Sequence, residues 1–190
     1  SSDIIDNARL LQCEESQGFI IDDLSVLINK IKSSHTVCVG YTHWQVASHM
    51  DMADRFATWA DPLCVLSAEY PLLRMKKLGG GTGTSKALQI LLKKGYGDFQ
   101  IPTLGNHYQH TLQSSYHIDE LQEAQWLEAV VGWIHKIAQD IRFLCHTGEL
   151  VIVRDKDYRG SSAMPAKENP IEAEQICSLA RLQPNFTRQV

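Results

Sequence analysis

The chain has 190 residues, of which 44% are hydrophobic, and a formal net charge of −4. This length suits one domain with its own core, and the negative charge argues against a general binder of nucleic acid or of anionic membranes. Five cysteines without a Cys-x-x-Cys pair argue against a disulfide framework or a zinc ribbon and favour a reducing compartment. Since no apolar run approaches the ~20 residues that span a bilayer, we expect a cytoplasmic protein.

The first predicted element is a long helix over residues 3 to 31. Apolar residues recur at helical spacing along one face, at Ile20, Leu24, Leu27, Ile28 and Ile31. The chain starts at Ser1 rather than Met and enters this pattern at once, so we expect it to be a piece of a longer protein. Taken alone, Ser1 and Ser2 are typical of a helix N-cap.

A second helix is predicted to begin near Gly40-Tyr41-Thr42-His43. Thr42 and Gln45 have the spacing of a capping box, which would place His43 in the first turn of a helix running to about residue 77. The helix dipole would disfavour the charged imidazole there and a nearby substrate carboxylate would favour it, although a lone histidine at such a position is usually only a surface residue. Pro62 and Pro71 would bend the helix.

A glycine-rich turn follows at residues 79 to 86. It is not a P-loop, which ends in Gly-Lys-Ser or Gly-Lys-Thr. Here Lys86 follows Ser85 and precedes an alanine. The surrounding segment, residues 74 to 94, is basic and has no acidic residue, which indicates a solvated face or a rim that attracts a polyanionic substrate. Its six cations are Arg74, Lys76, Lys77, Lys86, Lys93 and Lys94. His107 and His110 have no supporting ligands nearby, so we predict no metal site.

A third long helix is predicted over residues 114 to 145. Over much of its length its apolar residues alternate in steps of three and four, as in a coiled-coil seam. The seam includes Ile118, Leu121, Val130, Ile134, Ile137, Ile141 and Leu144. A straight helix of this length is on the order of 50 Å long and seldom buries itself in one small chain. We therefore predict that its seam packs against copies of the chain.

A charged, Gly/Ser-rich loop at residues 159 to 168 leads into the last predicted helix. Asn169 would cap this helix, Pro170 would occupy its first position and Glu172 its third. Unpaired backbone N–H groups at the helix start, with Lys167 beside them, predict an anion site. The alternative is a turn that precedes an ordinary helix cap.

The string Gly160-Ser161-Ser162-Ala163-Met164-Pro165, with Lys167 and Asn169-Pro170, resembles the signature loop of the fumarate lyase superfamily. Gly40-Tyr41-Thr42-His43-Trp44-Gln45 resembles a second motif of that superfamily, in the same order. Residues 134 to 142 and 174 to 181 are similar to its adenylosuccinate lyases. The chain departs from that pattern at Val46 and His49, which replace prolines, and at His117 and Gln175, where a basic residue is usual.

This resemblance implies an all-α fold: residues 1 to 190 would form a single long-helix bundle, the central domain of the fumarate lyase fold. Subunits would assemble into a homotetramer with shared active sites. Relatives carry N- and C-terminal domains that are absent from residues 1 to 190.

The implied reaction is reversible β-elimination of fumarate from an N-succinyl nucleotide, adenylosuccinate or its imidazole-carboxamide counterpart in purine synthesis. Ser161 would remove the carbon-bound proton, and His43 would protonate the leaving nitrogen. The implied substrate-binding residues are Ser1, Ser2, Thr42, Gln113, Ser162, Met164, Lys167 and Asn169. No metal or organic cofactor is expected. There are two alternatives: another fumarate-releasing enzyme such as argininosuccinate lyase, or a non-catalytic assembly domain.

Overall fold

The computed structural model describes residues 2–32, 35–76, 78–96, 105–154, 164 and 168–183. Within these residues the chain is mostly helical, as predicted, with one β-hairpin added. The elements are α1 (Ser2–Lys30), β1 (Val37–Thr42), β2 (Gln45–Asp51), α2 (Met52–Ala68), a 3₁₀ turn (Gly80–Thr82), α3 (Lys86–Lys93), α4 (Ile118–Thr147) and α5 (Ile171–Ala180). None of the described helices is long and apolar enough to cross a bilayer.

Helix α1 confirms the first predicted element to within a residue at each end. All five residues of its predicted apolar face are at least half-buried, and Leu24 is fully buried. The sustained apolar period was therefore a sound guide to this helix.

The predicted helix start at Thr42 is wrong, because the segment forms an antiparallel hairpin instead. Thr42 pairs with Gln45 across a two-residue turn, so the spacing that suggested a capping box is that of a tight hairpin. His43 and Trp44 form the turn with positive φ angles of 52° and 64°. The next helix starts only at Met52, where Asp51 Oδ1 accepts a hydrogen bond from the Ala53 N–H at 2.8 Å.

Helix α2 is also shorter than predicted. It ends at Ala68 rather than near residue 77, with Pro62 inside it and Pro71 beyond its end. The residues that follow are extended or irregular, and Met75 forms an isolated bridge with His107. Proline at residue 71 is compatible with a helix that has already ended, since it cannot donate a helical hydrogen bond.

The chain divides into two compact units. One comprises Ser1–Asp23, Glu69–Trp126 and Val190, and the other comprises Leu24–Ala68 and Leu127–Gln189. We call them the first and the second unit. The buried apolar residues of the first unit include Leu10, Leu73, Met75 and Trp126. Those of the second include Leu24, Trp59, Leu63, Val130 and Leu144.

From Val130 onward, the seam of α4 is already covered within the second unit. Val130, Ile137 and Leu144 are buried, and Ile141 packs against a cluster of Ala138, Ala173 and Cys177 that joins α4 to α5. These seam residues therefore do not offer the exposed surface that we predicted for contacts with copies of the chain. A period of three and four predicts a buried face but does not say what buries it.

Helix α5 confirms the predicted passage from loop to helix, but its cap differs. The helix begins at Ile171, Pro170 occupies the cap position, and no side-chain cap bond is made. The Asn169 carbonyl accepts a hydrogen bond from the Ile171 N–H at 2.9 Å. Ser1, Ser161, Ser162 and Lys167 lie outside the described residues.

Candidate functional site

A cleft of about 910 Å³ opens in the second unit between the hairpin and the last turns of α4. The hairpin contributes Gly40 to Trp44 and part of β2. On α4, Gln139, Phe143 and His146 follow Lys136 at intervals of three or four residues, so these four share one face, and Asp140 lies one turn beyond Lys136. The cleft is also lined by Ala47, Ser48, Met50, Arg55, Thr58, Arg142 and Leu144.

Three aromatic rings join the hairpin to α4. Phe143 makes edge-to-face contacts with Tyr41, at 4.9 Å between ring centroids, and with Trp44, at 4.7 Å. Such pairs contribute roughly 0.5–1.5 kcal/mol each beyond the area that they bury. They hold the turn against the helix, while Trp44 remains 75% exposed at the rim of the cleft.

His43 lies at the tip of the hairpin, and its side chain lines the cleft. The residue is exposed, so its imidazole is accessible to solvent and to a ligand. Because His43 is not at a helix N-terminus, the helix dipole does not act on it as the sequence had suggested. Thr42, the last residue of β1, lines the same cleft.

A buried ion pair fixes the base of the hairpin. Arg55 on α2 donates to Glu149 Oε2 at 3.0 Å and to the Val39 carbonyl, and Glu149 Oε1 accepts from the Val39 N–H at 2.8 Å. Arg55 and Glu149 have only 11% and 13% of their side chains exposed. The pair thus joins α2, β1 and the segment after α4 at the cleft.

A second polar network lies along the α4 wall of the cleft. Asp140 Oδ2 accepts hydrogen bonds from Lys136 and from the Trp59 indole, the latter at 2.7 Å. The Lys136 ammonium also lies 5.4 Å from the centre of the Trp133 ring, a cation–π distance. Asp140 offsets one of the cleft's cations, while Arg142 and His146 add further basic groups. Cationic and aromatic side chains together suit an anionic ligand that carries a planar ring.

The first unit holds Gln113 in a different cluster. The Gln113 carbonyl accepts a hydrogen bond from Lys76, whose Nζ lies 2.8 Å from Asp3 Oδ1 and 3.9 Å from Asp6 Oδ2. The Lys76 side chain is 1% exposed, so it does not belong to the solvated basic face predicted for residues 74 to 94.

The carboxylate of Asp3 is held in its charged form by this cluster. Burial by itself would raise the pKa of Asp3, but Lys76 and the N–H groups of Gly79 and Gly80 outweigh burial and lower it. Asp3 follows directly on the predicted substrate residues Ser1 and Ser2, and Ser2 is the first residue of α1. The beginning of α1 and Gln113 therefore meet at Lys76.

The structure brings only some of the predicted site residues together. Thr42 and His43 share the cleft of the second unit, whereas Ser2 and Gln113 belong to the first unit. Among the described residues that line the cleft, neither Met164 nor Asn169 is present. Met164 is exposed, and the Asn169 carbonyl accepts a hydrogen bond from Arg154 at 3.0 Å.

Arg154 also forms a two-point ion pair with Glu172 in the first turn of α5. This pair lowers the pKa of Glu172 to about 2. Arg154 therefore ties the segment after α4 to the beginning of α5.

Several residues of the cleft were missed by the sequence reasoning. The polar and aromatic spacing of Lys136, Asp140 and Phe143 on α4 was a usable signal, which the apolar seam of the same helix obscured. No local signal marks Arg55 and Glu149, which are 94 positions apart. In the part of the chain that the structure describes, no group of three or more His, Cys, Asp or Glu side chains is arranged to hold a metal ion.

Comparison with known proteins places the chain in a family. A family model described as lyase matches residues 1–182. The chain is 30% identical over 193 residues to adenylosuccinate lyase of Caenorhabditis briggsae, covering 93% of this chain and 40% of that protein. It is 32% identical over 204 residues to adenylosuccinate lyase of Archaeoglobus fulgidus, covering 98% of this chain and 44% of that protein.

Solved structures show the same fold. A fumarate lyase:delta crystallin from Brucella melitensis, bound to cobalt, superposes with a TM-score of 0.70 at 19% identity, over 96% of this chain and 44% of that one. The 3-carboxy-cis,cis-muconate lactonizing enzyme from Pseudomonas putida superposes with a TM-score of 0.68 at 22% identity, over 98% and 44%. The chain spans less than half the length of these proteins. It belongs to the lyase family whose motifs its sequence carries, the fumarate lyase superfamily, and is most like the adenylosuccinate lyases.

Proposed function

We propose that the protein containing this chain is a carbon–nitrogen lyase that releases fumarate from an N-succinyl nucleotide. The observation that carries the proposal is the position of Thr42 and His43 in a 910 Å³ cleft lined by cationic and aromatic side chains. Similarity to adenylosuccinate lyases over most of the chain supports the same conclusion. Adenylosuccinate and the related imidazole-carboxamide intermediate of purine synthesis are the proposed substrates, in the cytoplasm.

The proposed chemistry is an elimination that requires a base at carbon and an acid at nitrogen. Ser161, in its deprotonated form, takes the proton next to a carboxylate of the succinyl group. The electron pair moves into that carboxylate, and the resulting aci-carboxylate is stabilised by Lys167 and by backbone N–H groups. Collapse of this intermediate forms the carbon–carbon double bond of fumarate and breaks the carbon–nitrogen bond.

His43 completes the proposed reaction by giving its proton to the departing nitrogen. Its exposed position in the hairpin turn allows contact with a ligand in the cleft and re-protonation from solvent after each turnover. The reaction itself calls for no metal or organic cofactor, because every proton and electron pair moves between substrate and side chains.

The proposed substrate contacts are of three kinds: cations for the anionic groups, an aromatic ring for the base, and polar side chains that orient the succinyl group. Lys136 and Arg142 supply positive charge for a phosphate or carboxylate, and Trp44 offers an exposed ring face to a base. Thr42, Ser162, Met164 and Asn169 would orient the succinyl group near the reacting bond. Ser1, Ser2 and Gln113 complete the proposed substrate-binding set.

We further propose a homotetramer in which one active site draws on several subunits. An exposed apolar row on α1, which includes Ile4, Leu11 and Phe19, supports this assembly. The chain also spans only 40% to 44% of the relatives described above. Further active-site residues would then come from the rest of the protein and from neighbouring copies.

The experiment that tests the function is a substrate panel. The full-length protein is incubated with adenylosuccinate, its imidazole-carboxamide counterpart and argininosuccinate, and fumarate is followed by its ultraviolet absorbance. We expect fumarate from the two nucleotides. Fumarate from argininosuccinate alone would support another lyase of the superfamily, and a fully folded protein that turns over none of the substrates would support a non-catalytic assembly domain.

A further inference from the structure

Lys76 is a charged residue buried in the first unit. Its side chain is among the largest that the fold buries almost completely. A lysine ammonium in such a position is costly unless it is paired and hydrogen-bonded. Lys76 meets this requirement with the carboxylates of Asp3 and Asp6 and with the carbonyl of Gln113.

The backbone of Lys76 is held as firmly as its side chain. The Asn7 side-chain amide donates to the Lys76 carbonyl at 2.9 Å and accepts from the Lys76 N–H at 2.7 Å. This two-point contact fixes residue 76 against the first turns of α1, and Asn7 is itself 3% exposed.

The two carboxylates extend the cluster to further segments. Asp3 Oδ2 accepts a hydrogen bond from the Gly80 N–H at 2.7 Å, and Asp6 Oδ2 accepts one from the Ser115 N–H at 3.2 Å. One lysine and its partners therefore join the start of α1, the glycine-rich turn and the segment around Gln113, which are far apart in sequence.

Stability alone is a weak reason for a lysine at this position. A buried ion pair is often no more stabilising than well-packed apolar residues of similar volume. What the lysine does supply is a fixed distance between the beginning of α1 and the backbone of Gln113. Both are elements that the proposed function assigns to substrate binding.

We propose that Lys76 is a positioning residue of the substrate site, which holds Gln113 and the beginning of α1 in register for binding the nucleotide. This inference rests on the function proposed above. Lys76 acts through Gln113 and Asp3, so its loss should weaken the binding of the substrate without altering the chemistry at the reacting bond. Removal of such binding raises KM and leaves kcat nearly unchanged.

The test compares Lys76→Gln with a matched control in the full-length enzyme. Arg74→Gln is the control, since Arg74 pairs with the buried Asp119 in the same unit but has no contact with Gln113 among the bonds described. For Lys76→Gln we expect KM for adenylosuccinate to rise about tenfold or more while kcat changes less than about threefold. Arg74→Gln should keep the wild-type KM, and Lys76→Arg should recover part of the loss.

A second variant covers the case in which Lys76→Gln does not fold. Asp3→Asn removes the nearest charged partner of Lys76, and we expect the same selective rise in KM. A folded Lys76→Gln or Asp3→Asn protein with the wild-type KM would overturn the inference, as would an equal rise in Arg74→Gln. A folded wild-type protein that releases no fumarate would overturn the proposed function, and the inference with it. An active wild-type protein whose Lys76→Gln variant has the same KM would overturn the inference alone.

Discussion

His43, the general acid that we propose, lies in a tight turn with a positive φ angle of 52°. His43 and Trp44 both occupy the left-handed region, which histidine and asparagine adopt more readily than most residues and which is uncommon for tryptophan. A tight two-residue hairpin requires this conformation, and its strain is offset by the contacts of Tyr41 and Trp44 with Phe143. A variant that tests the imidazole should therefore preserve the turn.

Asparagine meets that requirement at residue 43. If His43 is the general acid, His43→Asn should lower turnover of adenylosuccinate by at least ~10²-fold, the contribution typical of a positioned acid or base. The melting temperature should stay close to that of the wild type, because asparagine tolerates a positive φ. Near-normal turnover in this variant would exclude His43 from proton transfer.

Glu123 is a buried carboxyl group of the first unit whose pKa makes the stability of the protein depend on pH. It is 6% exposed and accepts a hydrogen bond from Gln17 at 2.7 Å. Burial raises the pKa of Glu123 above its usual value of 4.5, and the Gln17 contact offsets this rise only in part. The folded state therefore binds the Glu123 proton more tightly than the unfolded state does.

This difference predicts the sign of a pH effect. The contribution of Glu123 to stability should fall as the pH rises from about 4.5 through the raised pKa, and then stay constant. Glu123→Gln should accordingly raise the melting temperature at neutral pH by a few degrees, and this advantage should shrink as the pH falls through that window. Thermal melts at several pH values test this, with the half-buried Glu128→Gln on the same helix as control. An advantage that does not depend on pH would contradict the assignment.

At the scale of elements, the long helices were predictable and the hairpin was not. Helices α1 and α4 extend over 29 and 30 residues, long enough for the apolar period to outweigh local exceptions. The hairpin is short, and the spacing of Thr42 and Gln45 fits a capping box as well as a tight turn. Nothing in the segment alone decides between these structures, since the contact of Phe143 with the turn comes from a helix about 100 residues away.

The same reasoning explains why the candidate site was predicted only in part. Thr42 and His43 were singled out because they stand in a recognisable motif, and both line the cleft. Lys76 stands in a run of basic residues, and only the folded chain shows that it is buried between two carboxylates. Arg55 and Glu149 meet only after the hairpin has packed on α2 and α4.

The ion pair of Arg55 and Glu149 should contribute measurably to the free energy of unfolding, since it joins α2, β1 and the segment after α4. Arg55→Met leaves the Glu149 carboxylate largely buried without its partner, which typically costs about 3–5 kcal/mol of unfolding free energy. The double variant Arg55→Met/Glu149→Leu should recover a substantial part of this loss, since neither charge is then left alone. Urea unfolding measures both values, and the exposed Arg9→Met serves as control. A loss within ±0.5 kcal/mol for Arg55→Met, as for an ordinary surface change, would contradict this role of the pair.

For the molecule as a whole, α1 offers a surface for contacts between copies that the buried part of the α4 seam does not. Ile4, Leu11, Phe19 and Val26 are 45% to 70% exposed and recur at intervals of seven or eight residues, on one side of the helix. A row of exposed apolar residues along a helix is typical of an interface. On α4, by contrast, Val130, Ile137 and Leu144 of the seam are buried within the chain.

This surface gives a prediction about assembly. Phe19→Glu places a charge in the middle of the α1 row and should lower the native mass of the full-length protein below that of a tetramer. The control is Ile90→Glu, which changes an exposed apolar residue of the short helix α3 in the same unit. Native mass measured by light scattering decides the matter. An unchanged tetramer with Phe19→Glu would exclude this face as an essential contact.

The balance of products formed from adenylosuccinate distinguishes the proposed lyase from a protein that only binds nucleotides. The full-length protein is incubated with this substrate, and fumarate and AMP are quantified together over time. The account predicts that the two products appear in equal amounts, and that Ser161→Ala and His43→Asn each suppress both. Wild-type protein that is folded but releases neither product, or variants that release both at the wild-type rate, would contradict the account.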